Sequence, residues 1–166
     1  MKKLTVNIPE QVLIDFSICK KDDDDAIETI LWHKRQIMSD RESETHEHMP
    51  FFNQPLRGNI LVTGLGVGLI NEHLITIPEI EKVVIVEKYK EVIEMVWPHC
   101  KKDARFEIVH ADANTWEPTM HFDYAWLDHW TEHYDMEQDV WWEMISEKYS
   151  PHSDIIMIWK PTHRMD

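Results

Sequence analysis

The sequence predicts an α/β protein with a doubly wound parallel sheet of about five strands and an N-terminal helical extension. Two observations carry this prediction. From residue 59 onward, continuous apolar runs of strand length alternate with segments of helical apolar spacing, as in parallel sheets covered on both faces. The 166 residues also include only four glycines, and three of them, Gly64, Gly66 and Gly68, directly follow the first of these strands.

The first 57 residues are expected to form a strand and helix extension on the substrate side of the main domain, residues 58–166. Alternation at residues 4–8 predicts a strand, and Pro9 suits the first turn of a helix. Residues 39–57 are polar and are expected to be irregular. Apolar spacing predicts two helices, one with Val12, Leu13 and Phe16 and a second with Ile27, Ile30, Leu31 and Met38.

The elements of the main domain follow in order along the chain. Strands are predicted at 59–63, 83–86, 106–109, 122–127 and 155–159. Helices are predicted at 67–76, 88–97 and 135–149, and Pro98 ends the second of them. Because parallel strands need crossover connections of this length, the order predicts a single parallel sheet.

The charge and the cysteines limit the classes of function. A net charge of −14, from 17 basic and 31 acidic residues, argues against binding nucleic acid, because a phosphate backbone would be repelled. No apolar run has the length of a membrane span or the pattern of a signal peptide. Cys19 and Cys100 form no CxxC motif. We therefore expect a cytoplasmic protein with reduced thiols and a small-molecule substrate.

The glycines lie in the segment VTGLGVGL at 62–69, between a predicted strand and a predicted helix. In this context, glycines let the backbone turn sharply and let a ligand approach it closely. A dinucleotide site needs a glycine at position 69, which is Leu69 here. The spacing G-x-G-x-G is instead typical of S-adenosylmethionine sites in Rossmann-like folds. The alternative is a tight packing turn without a ligand.

Acidic residues follow the next two strands. Glu87 ends the second strand, 19 residues after Gly68, where a carboxylate accepts hydrogen bonds from ribose hydroxyls. The alternative for Glu87 is an exposed strand end. Asp112 follows the third strand, where it accepts a hydrogen bond from an adenine amino group or caps the short helical stretch after it. Both roles stay open for Asp112, since neither excludes the other.

Further segments, VIVEK at 84–88, FEIVHADA at 106–113 and FDYAWLD at 122–128, carry a resemblance to a known family. With the glycine loop, they resemble the cofactor half of class I S-adenosylmethionine-dependent methyltransferases, and more narrowly the spermidine synthase (aminopropyltransferase) branch. The polar segment at 39–49 resembles the family's substrate-contacting segment, which implies substrate-side roles for His46 and Glu47. The resemblance implies an S-adenosylmethionine site formed by Gly64, Gly66, Gly68, Glu87, Lys88, Asp112, Ala113 and Asp128.

The sequence departs from the aminopropyltransferase pattern at two positions. Val67 occupies a place in the glycine loop that is usually acidic, and Thr131 stands where a second aspartate is usual. Since both carboxylates would hold cationic amines, these departures argue against polyamine synthesis. The sequence also ends after its fifth strand, so we expect the antiparallel hairpin that usually completes such methyltransferases to be missing.

The segment Asp128-His129-Trp130 follows the fourth strand and is the candidate for the catalytic groups. Methyl transfer needs the donor and the acceptor in line, and it often needs a proton removed from the acceptor. Asp128 is a candidate to hold the methionine ammonium or an amine acceptor, and Trp130 a candidate wall of the pocket. His129 or His133 is the candidate base, because histidine titrates near neutrality. The alternative is a loop that faces water.

His129 and His133 are also four residues apart, a spacing that some metal sites use. Because no cysteine or HExxH context accompanies them, we expect no metal.

The sequence is compatible with three functions. The first is an S-adenosylmethionine-dependent methyltransferase that acts on a small molecule. The second is aminopropyl transfer or cleavage of S-adenosylmethionine itself. The third is a non-catalytic module that retains the fold for binding or interaction. An open sheet edge at the fifth strand would also invite a homo-oligomer across that edge.

Overall fold

The computed structural model of the chain describes residues 2–23, 26–129 and 137–160. A four-stranded antiparallel sheet comes first in the chain, and its strands pair in sequence order. No helix among the described residues is long and apolar enough to cross a membrane. The strands of this first sheet are β1 (Gln11–Leu13), β2 (Phe16–Asp23), β3 (Ala26–His33) and β4 (Arg35–Ser39).

The helices predicted for residues 9–38 are therefore wrong, as is the strand at 4–8, which the structure leaves without regular secondary structure. The apolar residues fit a two-residue period as well as a helical one. Phe16 and Ile18 are buried on β2, and Ile18 pairs across the sheet with the buried Leu31. Short apolar runs are ambiguous between the two periods, and cross-strand packing of branched and aromatic residues favours the sheet here.

The polar segment that was expected to be irregular contains a helix, α1 (Glu42–Phe52). Its buried residues recur at helical spacing: Thr45, His48, Phe51 and Phe52 lie inside, whereas Glu42 and His46 are exposed. Two of the four inward positions are a threonine and a histidine, which is why the apolar pattern alone did not reveal the helix.

The second sheet confirms the predicted fold class. Its five strands are all parallel, and each predicted strand is present within a few residues of its expected bounds. The strands are β5 (Gly58–Thr63), β6 (Ile80–Glu87), β7 (Phe106–His110), β8 (Phe122–Leu127) and β9 (Ser153–Ile158), in the spatial order β7-β6-β5-β8-β9.

Three helices follow strands of this sheet, as predicted, and each is shorter than expected. They are α2 (Leu69–Leu74), α3 (Lys90–Val96) and α4 (Gln138–Tyr149). A single 3-10 turn at Trp97–His99 replaces the last turn expected of α3, because Pro98 lacks the N–H that a continuing helix needs. The predicted start of α4, at residues 135–136, lies outside the described residues.

Successive residues of the parallel strands pack into two separate cores. Ile60 and Val62 face a core shared with α1, α2, α3 and the antiparallel sheet. Leu61 faces the other core, which α4 covers with Trp141 and Ile145. Both faces are thus apolar, and this explains why the strands read as continuous apolar runs.

The strand order places a topological switch point between β5 and β8. The chain moves outward from β5 to β6 and β7, and then returns to the other side of β5 with β8 and β9. In open α/β sheets, ligands bind in the crevice at the carboxyl ends of the strands beside such a point. The end of β5 leads into the glycine loop (residues 64–68), and the end of β8 leads into Asp128.

Candidate functional site

A cavity of about 160 Å³ opens at the carboxyl ends of the parallel strands, at the switch point. One side is formed by the strand ends and the glycine loop, and the other by β3, β4 and α1. The chemically important residues that line it are Glu44, His48, Gly64, Gly66, Glu87, Lys88, Asp112, Asp128 and His129.

The glycine loop has a backbone that side chains rarely tolerate. Gly64, Gly66 and Gly68 have φ angles of +88°, +54° and +72°, in the left-handed region. A Cβ at Gly64 would also overlap the carbonyl oxygen of Asp128. Gly64 and Gly66 line the cavity, whereas Gly68 lies outside it and caps the start of α2. Two of the three glycines therefore face the space where a ligand would lie.

Strand β4 lies over this loop. The sulfur of Met38 accepts a hydrogen bond of 3.5 Å from the amide of Val67 and occupies the space above Gly66. Leu31 and Ile37 line the cavity beside it. The antiparallel sheet thus forms an apolar cover on the glycine loop.

Glu87 is buried and bonded to the glycine loop. Its two carboxylate oxygens accept hydrogen bonds of 2.8 Å from the amides of Leu65 and Tyr89. Burial raises the pKa of Glu87, against the opposing effect of these amide bonds. The amide of Lys88 is a third donor to this carboxylate. Because a carboxylate offers about four acceptor positions, capacity remains for a hydroxyl donor of a ligand in the cavity.

Asp112 caps the turn that follows β7, which is one of the two roles that the sequence left open, and its role toward an adenine amino group stays a prediction. One oxygen accepts a 2.9 Å hydrogen bond from the amide of Asn114, which is a turn cap, and the other lies 2.9 Å from the ammonium of Lys88. Burial raises the pKa of Asp112, but Lys88 and the Asn114 amide lower it more, so the pKa falls below its ordinary value. Asp112 and its buried neighbour Ala113 both line the cavity.

Asp128 is paired with a residue that the sequence did not single out. Its carboxylate oxygen lies 3.4 Å from Nε2 of the buried His48, and Nδ1 of that ring donates to the carbonyl of Glu44 at 2.7 Å. Burial lowers the pKa of His48, but the bond to Asp128 and its charge raise it more, so the pKa lies above its ordinary value. We therefore treat the pair as an imidazolium and a carboxylate.

Glu44 is the second acidic group on this side of the cavity. Burial raises its pKa to about 7, and the charges of Glu47 and Asp128 act in the same direction. His48 and Arg41 oppose the shift. The carboxyl group is therefore poised to exchange a proton near neutral pH.

His129 is held between two polar neighbours. Its Nε2 lies 3.0 Å from the amide oxygen of Asn114, which only accepts, so Nε2 carries the proton. Its Nδ1 then accepts from the hydroxyl of Thr63 at 2.6 Å. Burial lowers the pKa of His129 to about 3, with Asp112 opposing the shift. The ring is thus neutral at physiological pH, and both of its nitrogens are in use.

The other residues that the sequence predicted for the site do not all line the cavity. His46 is exposed on α1 and is not among the residues that line the cavity. Glu47 accepts a 3.0 Å hydrogen bond from the indole of Trp159, and this indole lines the cavity, so Glu47 acts on the site through Trp159. Trp130 and His133 lie outside the described residues, and their roles stay predictions.

The sequence matches no protein-family model and no curated protein. Solved structures share its fold. N-methyltransferase NodS from Bradyrhizobium japonicum WM9 is 14% identical, with a TM-score of 0.53 over 67% of this chain and 62% of that one. DhpI, solved as a complex with SAH, is 20% identical, with a TM-score of 0.51 over 70% and 56%.

A spermidine synthase in complex with the transition-state analogue AdoDATO is also similar, at 19% identity and a TM-score of 0.51 over 74% of this chain and 48% of that one. This chain has the class I methyltransferase fold. It spans about half the length of the solved structures that it matches. These similarities establish the fold alone.

Among the acidic and histidine residues that line the cavity, sequence reasoning missed Glu44 and His48. The signal that could have found them is their i, i+4 spacing, which places both on one side of a helix. The following Phe51 and Phe52 would have marked that side as the buried one.

Proposed function

We propose that this protein binds S-adenosylmethionine in the strand-end cavity and transfers its methyl group to a small-molecule acceptor. The observation that carries the proposal is the bonding of the buried Glu87 to the left-handed glycine loop at the switch point. Two similar structures, an N-methyltransferase and a protein solved with SAH, support the same ligand class.

The described residues fit the parts of such a ligand. Glu87 would accept from the ribose hydroxyls, because its carboxylate faces the cavity with acceptor capacity left. Asp112 would accept from the adenine amino group with the oxygen that Asn114 does not use. Gly64 and Gly66 would let the nucleoside lie directly against the backbone.

The charge of the cavity also fits a sulfonium cation. Four carboxyl groups line it, those of Glu44, Glu87, Asp112 and Asp128, against the cations of Lys88 and His48. Opposite charges attract strongly where water is excluded, so a cationic donor is favoured over an anionic one. The negative charges of a pyrophosphate, as in a dinucleotide, would be repelled by these carboxylates.

When bound, the sulfonium supplies an activated methyl group. This chain's residues would then hold the donor and the acceptor in line rather than activate the methyl group themselves. His129 fits a positioning role better than the predicted role of base, because its pKa is about 3 and both ring nitrogens are bonded. Its Nδ1 accepts a hydrogen bond from the Thr63 hydroxyl, whose oxygen in turn accepts a 3.2 Å hydrogen bond from the backbone amide of Asp128.

Aminopropyl transfer is the second candidate. The observation that favours it is the pair of carboxyl groups on the acceptor side, Glu44 and Asp128. In the aminopropyltransferase pattern, acidic residues stand at the positions that Val67 and Thr131 occupy here. Glu44 and Asp128 would replace the carboxyl groups that are missing there. The two reactions attack different carbons next to sulfur: methyl transfer attacks the methyl carbon of S-adenosylmethionine, and aminopropyl transfer attacks the propyl chain of its decarboxylated form.

The products distinguish the two reactions. We would incubate the full chain with S-adenosylmethionine and, separately, with its decarboxylated form, each with and without a panel of small amines and alcohols, and separate the nucleoside products by chromatography. S-adenosylhomocysteine together with a methylated acceptor is the result expected. Methylthioadenosine as the main nucleoside product would instead overturn methyl transfer in favour of aminopropyl transfer or cleavage.

A further inference from the structure

One wall of the cavity carries two carboxyl groups, whereas the methionine part of the donor has a single ammonium. We call it the acidic wall and define it by Glu44, His48, Trp126 and Asp128, all of which line the cavity. His48 connects it, with Nδ1 on the Glu44 carbonyl and Nε2 toward the Asp128 carboxylate. Glu44 comes from α1, before position 57, and Asp128 comes from the loop after β8. The N-terminal part and the main domain therefore both contribute to the acidic wall.

Trp126 supplies an independent sign of a ligand. The side chain is 2% exposed and packs against His48 and Phe51, with ring centroids 5.2 Å and 5.3 Å apart. Its indole N–H has no hydrogen-bond partner among the residues that the structure describes. A buried donor without a partner is costly, and Trp126 is one of the residues that line the cavity where a ligand would lie.

We propose that the acidic wall binds a small primary ammonium whose other end carries a neutral hydrogen-bond acceptor, and that Glu44 takes the proton from this ammonium. The proposal rests on the proposed function, since the deprotonated amine is the acceptor of the methyl group. The carboxylates attract the cation, and the Trp126 N–H donates to the neutral end.

The chemical step balances as follows for an ammonium R-NH₃⁺. One N–H bond breaks, and its proton moves to a carboxylate oxygen of Glu44. The nitrogen lone pair then forms a bond to the methyl carbon, the carbon–sulfur bond breaks, and its electron pair stays on sulfur. The products are a methylated ammonium, a neutral thioether and a protonated Glu44, which afterwards releases its proton to water.

Glu44 suits this role better than the other carboxyl group of the wall. Asp128 already faces the His48 ring, so its charge is balanced. Glu44 is faced by Arg41, Glu47 and His48 from its own helix and by Asp128 from the loop after β8. Burial and the two acidic neighbours raise its pKa to about 7, which lets it accept a proton and release it again.

The test uses ethanolamine as the probe, because it carries an ammonium and a hydroxyl on a two-carbon chain. Ethylene glycol is the neutral control of the same size. Saturation-transfer NMR with S-adenosylhomocysteine present would measure binding to the wild-type chain, to Glu44→Gln and to the matched control Glu42→Gln, which lies exposed on the same helix. Calorimetry on each chain would measure the affinity for S-adenosylhomocysteine alone.

We expect ethanolamine to bind the wild type and Glu42→Gln equally, and Glu44→Gln about tenfold more weakly, since one charge-assisted contact is lost. Affinity for S-adenosylhomocysteine should stay within about twofold in all three chains. Binding of ethylene glycol as strong as that of ethanolamine would overturn the proposal. So would an unchanged ethanolamine affinity in Glu44→Gln.

A second measurement does not depend on how the variant folds. Carbon-detected NMR of the wild-type Glu44 carboxyl should show its titration midpoint fall when ethanolamine binds, because a nearby cation favours the carboxylate. An unmoved midpoint at saturating ethanolamine would contradict the proposal. If S-adenosylhomocysteine fails to bind while ethanolamine binds as expected, the proposed function is overturned and the ammonium site stands.

Discussion

The buried polar residues of the cavity hold one another in place. Glu87 binds the amides of Leu65 in the glycine loop and of Tyr89 after β6, and His129 connects Thr63 at the end of β5 with Asn114 after β7. Such contacts fix the loops that follow different strands relative to one another. A site of this kind can bind a ligand without first ordering its own backbone, which lowers the free-energy cost of binding.

Gly64 tests the conformational requirement of the glycine loop. Its φ of +88° and the nearby Asp128 carbonyl both disfavour a side chain. We expect Gly64→Ala to lower the free energy of unfolding by about 2 kcal/mol, measured by urea denaturation. The control is Lys34→Gly, at a non-glycine residue with φ of +64°, which should leave stability unchanged or raise it. A loss below about 0.5 kcal/mol in Gly64→Ala would contradict this account.

His129 predicts a pH dependence of stability. Its folded pKa of about 3 lies below the unfolded value of 6.5, so between these values the unfolded chain binds more protons. Stability from the neutral ring is therefore present above pH 6.5 and is lost as the pH falls toward 3. Between about pH 7.5 and pH 5.5, the wild type should lose about 1.4 kcal/mol more than His129→Gln in urea denaturation.

The comparison with His129→Gln removes the contributions of other groups that titrate in this range, including His48 and Glu44, whose raised pKa values act in the opposite direction. Parallel loss of stability in the two chains would show that His129 is not held neutral. The positioning role would then have to be abandoned.

At the scale of elements, the parallel sheet could be predicted and the N-terminal sheet could not. Strands β5 to β9 are apolar on both faces, so each appears in the sequence as an unbroken run of apolar residues. This signal does not depend on which strands pair with it. On β2 the buried Phe16 and Ile18 alternate with a partly exposed residue, whereas β3 is buried at four successive positions, 28–31. The two strands pair antiparallel along their whole length, and their apolar residues also fit a helical period, so local spacing favoured helices instead.

The same reason explains which site residues could be predicted. Gly64, Glu87, Asp112 and Asp128 each follow a parallel strand, so predicting the strands also placed them at one edge of the sheet. Glu44 and His48 reach the cavity from α1, a helix with a mostly polar sequence. Their contribution depends on how α1 docks, and this docking is carried by two aromatic residues at its end.

Phe51 tests the docking of α1. The side chain is fully buried and packs against the indole of Trp126, with ring centroids 5.3 Å apart. We expect Phe51→Ala to lower the free energy of unfolding by about 3–5 kcal/mol in chemical denaturation. Val140→Ala is the control, because Val140 is 54% exposed on α4 and should change stability by less than about 0.5 kcal/mol. Equal small effects of both substitutions would mean that α1 does not pack as described.

Across the whole molecule, residues on both sides of position 57 share one core. Ile8, Phe16 and Phe51 from the N-terminal part pack in the same cluster as Ile60 and Val62 of β5. The N-terminal part therefore helps to form the cavity and is not an independent appendage to it. Strand β9 is an edge of the parallel sheet, and the homo-oligomer expected across that edge stays a prediction.

The central claim is that the strand-end cavity is a nucleoside site specific for the S-adenosylmethionine class. Titration calorimetry of the full chain with S-adenosylhomocysteine, and separately with NAD, tests it most directly. The same titration of Glu87→Gln and of Glu81→Gln, an exposed position on the same strand, provides the matched comparison.

The account predicts saturable binding of S-adenosylhomocysteine, no measurable binding of NAD, and an affinity about tenfold or more weaker in Glu87→Gln, with Glu81→Gln unchanged. Absence of binding to the correctly folded wild-type chain, or tighter binding of NAD than of S-adenosylhomocysteine, would contradict it.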